Sequence, residues 1–383
     1  MPDMVKPLQS IVISGTGVFT PPHSLSNADL VAGYNAHVDE WNAEHADEIS
    51  AGEIAAKEPS SSAFIEKASG IKNRYLMEAS GLTEPDRMYP YLSDIAEDDL
   101  TKTPVQVKMA LAAAEHALAA ANLRGSDIDL VIISSSVWER FIPSMATELQ
   151  QILGAKGFAF DMAMGCSSAT FGMSTAFDAL NSGMANKALV VTAEYISPLL
   201  AYEDRDGHFI FGDAAVAMVL EREDDCTSEH AFRIKSRKLF TEFSTNIVAG
   251  FGSRLMVERD RIDAPEQRFR QSGRAVFKEL LPKVIGHINA HMASEGNSIS
   301  DFKRMWLHQA NINMNMFATK KLLGHEPSQD EAPIILDQYA NTAGAGCMIA
   351  FNNHSQDFKS GDLGLICSFG ASYSIGSFMV EKV

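Results

Sequence analysis

Asp161-Met-Ala-Met-Gly-Cys-Ser-Ser-Ala-Thr-Phe-Gly172 decides the fold class of this chain. Small residues crowd Cys166, and from Ala169 to Asn181 apolar residues recur at three- and four-residue spacing, the signature of a helix. Outward from this turn, runs rich in Val and Ile recur at Ile11–Ser14, Leu130–Ser134, Leu189–Thr192, Ala214–Leu220, Met305–Leu307 and Gly364–Ser368. Helical patterns such as Val105–Ala121 lie between them. Strands alternating with helices predict an α/β architecture with largely parallel, buried strands.

The chain also echoes itself. Leu189–Glu194 followed by Phe211–Glu221 resembles Leu363–Phe369 followed by Ser374–Glu381. Two related halves are expected, residues 1–222 and 223–383, meeting where charge clusters near Glu221–Ser228. Val31–Ala63 departs from the core pattern: it is polar and acidic and reads as a mostly helical surface excursion. Asp94–Asp99 reads as an exposed acidic connection.

A net charge of −17 over 383 residues argues against nucleic acid and against anionic membrane surfaces, both of which need clustered Lys and Arg. Met1–Ser10 carries no signal-peptide pattern, and no apolar stretch is long enough to span a bilayer. A cytoplasmic protein is expected. Cysteines 166, 226, 347 and 367 are scattered without CxxC spacing, so neither a disulfide framework nor a metal site is indicated.

Cys166 is the cysteine with a reactive setting. At a strand-to-helix turn, unpaired N–H groups and the helix dipole favour a thiolate. His308 ends the strand Met305–Leu307 and opens His308-Gln-Ala-Asn311, leading into a helix that closes at Gly324. Asn341 sits in Tyr339-Ala-Asn-Thr-Ala-Gly-Ala-Gly346, again a strand end entering a turn and helix. Strand ends in α/β folds face the ligand crevice. A lone Cys, His or Asn is more often structural; three in order, each at such a junction, point to chemistry.

These residues resemble the Cys, His and Asn signature of β-ketoacyl synthase III enzymes in the thiolase superfamily. Phe209-Ile-Phe-Gly-Asp-Ala214, Gly273-Arg-Ala-Val-Phe-Lys278 and Ser368-Phe-Gly-Ala-Ser372 match it as well. The resemblance covers nearly the whole chain except Val31–Ala63. It implies a homodimer of five-layered αβαβα subunits built from two pseudo-symmetric halves. It also implies decarboxylative Claisen condensation of an acyl-CoA primer with malonyl-acyl carrier protein in fatty acid synthesis. The Cys166 thiolate would take the acyl group. His308 and Asn341 would donate hydrogen bonds to the malonyl thioester carbonyl, and the backbone N–H groups of Cys166 and of the Gly370–Ala371 turn would hold the oxyanion. No metal and no cofactor beyond the CoA thioester is implied.

The same resemblance assigns substrate contacts to Phe64, Ile142, Arg205, Phe211, Gly273, Phe277, Ala310, Asn311 and Phe369, and carrier docking to Lys278, Lys320 and Lys321. Many relatives have Trp at Phe64 and Arg at Ala68, a pair that sandwiches the CoA adenine, and Arg at Asn313; these departures alter the expected nucleotide and carrier contacts. Ile142 stands where an aromatic residue of the partner subunit closes the pocket of acetyl-specific relatives. A smaller residue there predicts medium-chain primers, unless Phe141 or Trp138 refills the space. Two alternatives stay open. One is non-decarboxylative condensation of the olefin-synthesis type, with Glu139 as the carboxylate base. The other is a catalytically silent acyl-binding subunit.

Overall fold

The computed structural model describes residues 9–91, 102–249 and 268–383, so the Asp94–Asp99 connection lies outside the described residues. The strands are β1 (Ile11–Phe19), β2 (His23–Ser26), β3 (Asn73–Leu76), β4 (Leu130–Ser134), β5 (Phe158–Met162), β6 (Lys187–Glu194) and β7 (Ala214–Arg222). They continue with β8 (Phe232–Thr241), β9 (Ile247–Ala249), β10 (Phe269–Gln271), β11 (Phe302–Leu307), β12 (Leu363–Gly370) and β13 (Ser374–Lys382). The helices are α1 (Asn27–Glu44), α2 (Ala46–Ala51), α3 (Ser62–Ser69), α4 (Val105–Ala120) and α5 (Met145–Leu153). After them come α6 (Ser168–Ser182), α7 (Gly273–Ser294), α8 (Ile312–Leu323), α9 (Leu336–Tyr339) and α10 (Gly346–Asn353).

Nine strands form one mixed sheet in the order β11-β12-β13-β8-β1-β7-β6-β4-β5. Five of its eight pairings are antiparallel, against the largely parallel expectation, because β6–β7 and β12–β13 pair without a crossover helix. The repeat heard in the sequence is visible in the pairing. From β1, the neighbours β7 and β6 are antiparallel in turn and β4 is parallel to β6. From β8, the neighbours β13 and β12 are antiparallel in turn and β11 is parallel to β12. The echoing stretches are thus β6–β7 and β12–β13, the same pair in each run. The two runs join through β1 and β8, at Val12 opposite Arg233 and Ile13 opposite Phe232.

Alternation along the strands builds the layers, because successive side chains leave opposite faces. Val216, Met218 and Leu220 of β7 turn inward with Ile366 of β12 and Phe378 of β13, onto α6 and α10. Ala215, Ala217 and Val219 turn outward onto α4 and α5. On the other run, Leu365, Cys367 and Met379 turn outward onto α7 and α8. Helix, sheet, helix, sheet, helix is the five-layered αβαβα arrangement.

The acidic stretch after β2 starts as helix and runs along the surface from Asp39 to Pro59, as expected, but α1 is anchored to the core. Leu30, Tyr34 and Val38 are buried along one side of α1, against Ile65, Ile71, Tyr202 and Phe209. Their four-residue spacing is a helical stripe. The acidic residues that masked it occupy the other side.

Candidate active site

Cys166 lies in the turn Gly165–Ser167 between β5 and α6. Asp161, at the end of β5, caps α5 by accepting the N–H groups of Met145 and Ala146 at 2.9 and 2.8 Å. Ser167 Oγ donates to the carbonyl of Ser374 at 3.0 Å, tying the cysteine turn to the start of β13. Gly370 faces Cys166 directly: a Cβ there would stand 2.5 Å from Cys166 Cβ and 3.0 Å from Sγ. Only glycine permits this approach.

Half-buried Cys166 opens onto an apolar cavity of about 120 Å³, walled by Val137, Leu199, Phe211, Val248 and Phe269 among others. Burial pushes its thiol up to about 12, and the nearby Glu194 carboxylate adds to the rise. The N–H groups of Ala371 and of Cys166 itself act in the opposite direction. The thiolate expected from the helix start is therefore not the resting form. The apolar cavity outweighs the turn's dipoles, and Cys166 rests as a neutral thiol.

His308 follows β11 and is almost fully buried. Its backbone N–H donates to Cys367 at 2.8 Å, and its ring stands edge-on to Phe369, centroids 5.3 Å apart. Burial lowers its pKa to about 4, so the imidazole is neutral at pH 7. Its Nδ1 is buried and has no hydrogen-bond partner among the described residues. Gln309 braces this strand end, donating to Leu307 and Pro333 at 2.9 and 3.2 Å and accepting the Ile335 N–H at 3.0 Å.

Asn341 follows α9 and pairs with Phe211 in an isolated parallel bridge. Its Oδ1 accepts the N–H of Ala343 at 2.9 Å. The amide NH2 is then the end left for a ligand. The turn is strained: Ala340 sits at φ 58°, ψ −159°, a region suited to glycine. Asn341 lines a second, more polar cavity of about 500 Å³ together with Gly273, Phe277, Lys278, Ala310 and Asn311. Phe211, its bridge partner, lines the Cys166 cavity. His308 lines neither cavity; β12 ties it to the Cys166 turn, with Phe369 against its ring and Gly370 facing Cys166.

Other sequence-derived assignments land differently. Phe369 is buried under the His308 ring instead of on either cavity wall. Arg205 lies over Phe64, its guanidinium carbon 4.4 Å from the ring centre, held by Nε donating to Pro59 at 2.9 Å. Arg205, not residue 68, is therefore the planar partner of Phe64. Asn311 and Asn313 donate to the Ala68 carbonyl at 2.6 and 3.2 Å, tying α8 to α3. Lys320 is paired with Glu326, and Lys321 lies 5.8 Å from the Phe317 ring centre. Ile142 is 87% exposed and Phe141 68% exposed, whereas Trp138 packs onto the outer core. Cys347 and Cys367 are buried, and all four cysteines are free.

Glu139, the candidate base for olefin-type chemistry, is already engaged. Its two oxygens accept the N–H groups of Val105 and Gln106 at 3.2 and 2.8 Å, capping α4. Among the described residues, no group of three or more His, Cys, Asp or Glu is arranged to hold a metal ion, and no helix is long and apolar enough to cross a membrane.

Sequence reasoning passed over two features. The antiparallel pair β9 and β10 supplies Val248, Ala249 and Phe269 to the Cys166 cavity. Glu194, fully buried at the end of β6, stands close enough to act on Cys166. A carboxylate ending an apolar strand was the signal for it.

The same chemistry emerges from comparison. Residues 160–239 match the family model of 3-oxoacyl-[acyl-carrier-protein] synthase III, and residues 292–382 match the model of its C-terminal part. The chain is 45% identical over 349 residues to the β-ketodecanoyl-[acyl-carrier-protein] synthase of Pseudomonas aeruginosa, covering 91% of this chain and 99% of that protein. It is 28% identical over 337 residues to the β-ketoacyl-[acyl-carrier-protein] synthase III of Granulibacter bethesdensis, covering 87% and 94%. The crystal structure of the Aquifex aeolicus 3-oxoacyl-[acyl-carrier-protein] synthase III superposes with a TM-score of 0.74 at 24% identity, over 97% of this chain and 99% of that one. A five-layered fold, a cysteine facing a glycine turn and this sequence identity place the chain in the 3-oxoacyl-[acyl-carrier-protein] synthase III family of acyltransferases, the condensing enzymes of fatty acid synthesis.

Proposed function

We propose that the chain condenses a medium-chain acyl-CoA, octanoyl above all, with malonyl-acyl carrier protein, giving 3-oxodecanoyl-acyl carrier protein. The observation that carries this is Cys166 at the mouth of an apolar cavity of about 120 Å³, next to a more polar cavity lined by Asn341. Its walls are apolar side chains such as Val137, Leu199, Phe211 and Phe269, so the space suits an alkyl chain. The name of the Pseudomonas relative points the same way: a ten-carbon product less the two carbons added leaves an eight-carbon primer.

Sγ of Cys166 attacks the thioester carbonyl, and CoA leaves with the thiol proton. Malonyl-carrier protein then enters, with Lys278 and Lys321 offering positive charge to the acidic carrier and Lys320 exchanging its Glu326 partner for a carrier carboxylate. The neutral His308 ring and the Asn341 NH2 donate to the malonyl thioester carbonyl. As carbon dioxide leaves, that oxygen becomes an enolate, which both donors stabilise. The enolate carbon attacks the acyl-Cys166 carbonyl, and the N–H groups of Cys166 and Ala371 hold the new oxyanion. Collapse releases the 3-oxoacyl product and expels Cys166 as the thiolate, which takes a proton from water to return to the resting thiol. The chemistry uses no metal or added cofactor. Gly273, Phe277, Ala310 and Asn311 line the pantetheine path in this reading, and Phe64 and Arg205 stand at its rim. The working unit is a cytoplasmic homodimer in which exposed Ile142 reaches the partner's acyl cavity.

Intact-mass spectrometry after exposure to acetyl-, hexanoyl-, octanoyl- and decanoyl-CoA tests the assignment. One octanoyl group per chain, formed fastest of the four and absent in Cys166→Ala, is expected. Acetyl preference would overturn the primer, and stoichiometric acylation of Cys166→Ala would overturn the nucleophile.

A further inference from the structure

The carboxylate of Glu194 is buried between two loops that belong to different halves of the chain. Its Oε1 accepts the Ser136 backbone N–H at 3.1 Å, the Ser136 hydroxyl at 2.9 Å and the Gly344 N–H at 3.0 Å. Its Oε2 also accepts the Ser136 N–H, at 3.0 Å. Every partner is a donor, so only a carboxylate offers an acceptor at both positions. Ser136 is part of the wall of the Cys166 cavity. Gly344 belongs to the turn whose Ala343 N–H fixes the Asn341 amide, and a Cβ at Gly344 would meet Glu194 Oε1 at 2.7 Å and Ser168 Cβ at 3.2 Å. The contact is therefore as close as the chain allows.

We propose that Glu194 is a positioning residue: its carboxylate locks the Asn341 turn to the wall of the Cys166 cavity, so that the donor for decarboxylation and the acyl-cysteine are held in register. The proposal rests on the roles given above to Cys166 and Asn341. With all its bonds directed at loop donors, Glu194 holds the site and does not act as a base. Its charge has a separate effect on the cysteine, because a buried negative group opposes thiolate formation. Asp213, itself buried, opposes ionisation of Glu194 in the same way, and burial with this neighbour raises Glu194 to about 7.

The two effects have opposite signs, and one variant reads both. Glu194→Gln sets an NH2 against a donor while removing the charge. Malonyl-carrier decarboxylation should fall by roughly 10- to 100-fold through misplacement of the donor, while the pH midpoint for iodoacetamide alkylation of Cys166 moves down. A residue that only fills space would leave the alkylation midpoint where it is. Gly344→Ala, which pushes on the same contact but keeps the charge, should lower decarboxylation without moving the midpoint, and it decides the matter if Glu194→Gln does not fold. Decarboxylation within twofold of the native protein in Gly344→Ala, or an unmoved midpoint in folded Glu194→Gln, overturns the proposal. Alkylation needs no substrate, so an error in the proposed primer leaves that arm intact.

Discussion

Asn341 Oδ1 accepts the backbone N–H of Ala343 at 2.9 Å, which fixes which end of the amide meets a substrate. Asn341→Asp keeps this bond and replaces the donor with an oxygen. Decarboxylation of malonyl-carrier protein should fall by about 10²- to 10³-fold, the cost of one lost oxyanion donor. Octanoyl transfer to Cys166 should change far less. Equal losses in both half-reactions, followed by stopped-flow and intact mass, would show that the amide serves both.

Ala340 occupies a backbone region that costs a non-glycine residue about 1–3 kcal/mol. Ala340→Gly should relieve this, less about 0.5–1 kcal/mol for the extra freedom of glycine when unfolded. The buried Ala340 methyl is lost as well, at about 0.8 kcal/mol, so the net change in urea unfolding should lie within about 1 kcal/mol of zero. A loss of more than about 2 kcal/mol, the full cost of the methyl and of the glycine freedom, would mean the turn is unstrained.

Ile142→Phe should shift primer preference towards shorter chains. Each buried methylene contributes about 0.8 kcal/mol, so removing room for two or three should cost octanoyl roughly 10-fold or more relative to hexanoyl or acetyl. The comparison of acylation rates across four chain lengths measures it. An unchanged length profile would remove Ile142 from the pocket.

Phe64→Ala should weaken binding of octanoyl-CoA and leave octanoyl-N-acetylcysteamine, which lacks the nucleotide, unchanged. A lost planar contact of about 1 kcal/mol corresponds to roughly a fivefold rise in KM, with kcat nearly constant. If both substrates suffer equally, the ring contacts something other than the nucleotide.

Acid should unfold the outer layer of the second half. Burial first, with the Lys238 charge adding to it, lowers His287 to about 4, and burial with the neighbouring His287 does the same to His291. Both bond Ser377 Oγ, at 2.9 and 2.7 Å. Because their folded pKa lies below the unfolded value of about 6.5, the unfolded chain takes up protons first as pH falls. Their contribution is intact above pH 6.5 and drains away towards pH 4, by up to about 1.4 kcal/mol per pH unit for each ring. Urea titrations between pH 7.5 and 5 should show this slope, and replacing both with Gln should reduce it, leaving the share of buried His308 and His208.

The strand runs and the long helices were legible in the sequence because burial on both faces leaves uninterrupted Val and Ile, and because Ala-rich spacing has one reading. Cys166 and His308 were legible because each follows a strand end; Asn341 was expected at one too, but it follows the short helix α9 and pairs with Phe211 only through an isolated bridge. The docking of α1 was not: Leu30, Tyr34 and Val38 are three residues among many acidic ones, and which face is covered depends on chain far away. Arg205 over Phe64 and Glu194 under Gly344 were hidden for the same reason. Each contact joins residues more than a hundred positions apart, and no local pattern specifies it.

The inner layer of α6 and α10 has a further consequence. Its residues, Met173 and Leu180 on one helix and Met348 and Phe351 on the other, bury the inward faces of both strand runs at once. Between the runs themselves, only two residue pairs link β1 to β8. Neither half can therefore shield its own interior, and a chain cut at the turn Glu223–Asp225 should give two fragments that are sticky and unfolded apart. Mixed during refolding, they should rescue each other, so that the duplicated strand pattern behaves as a single cooperative unit.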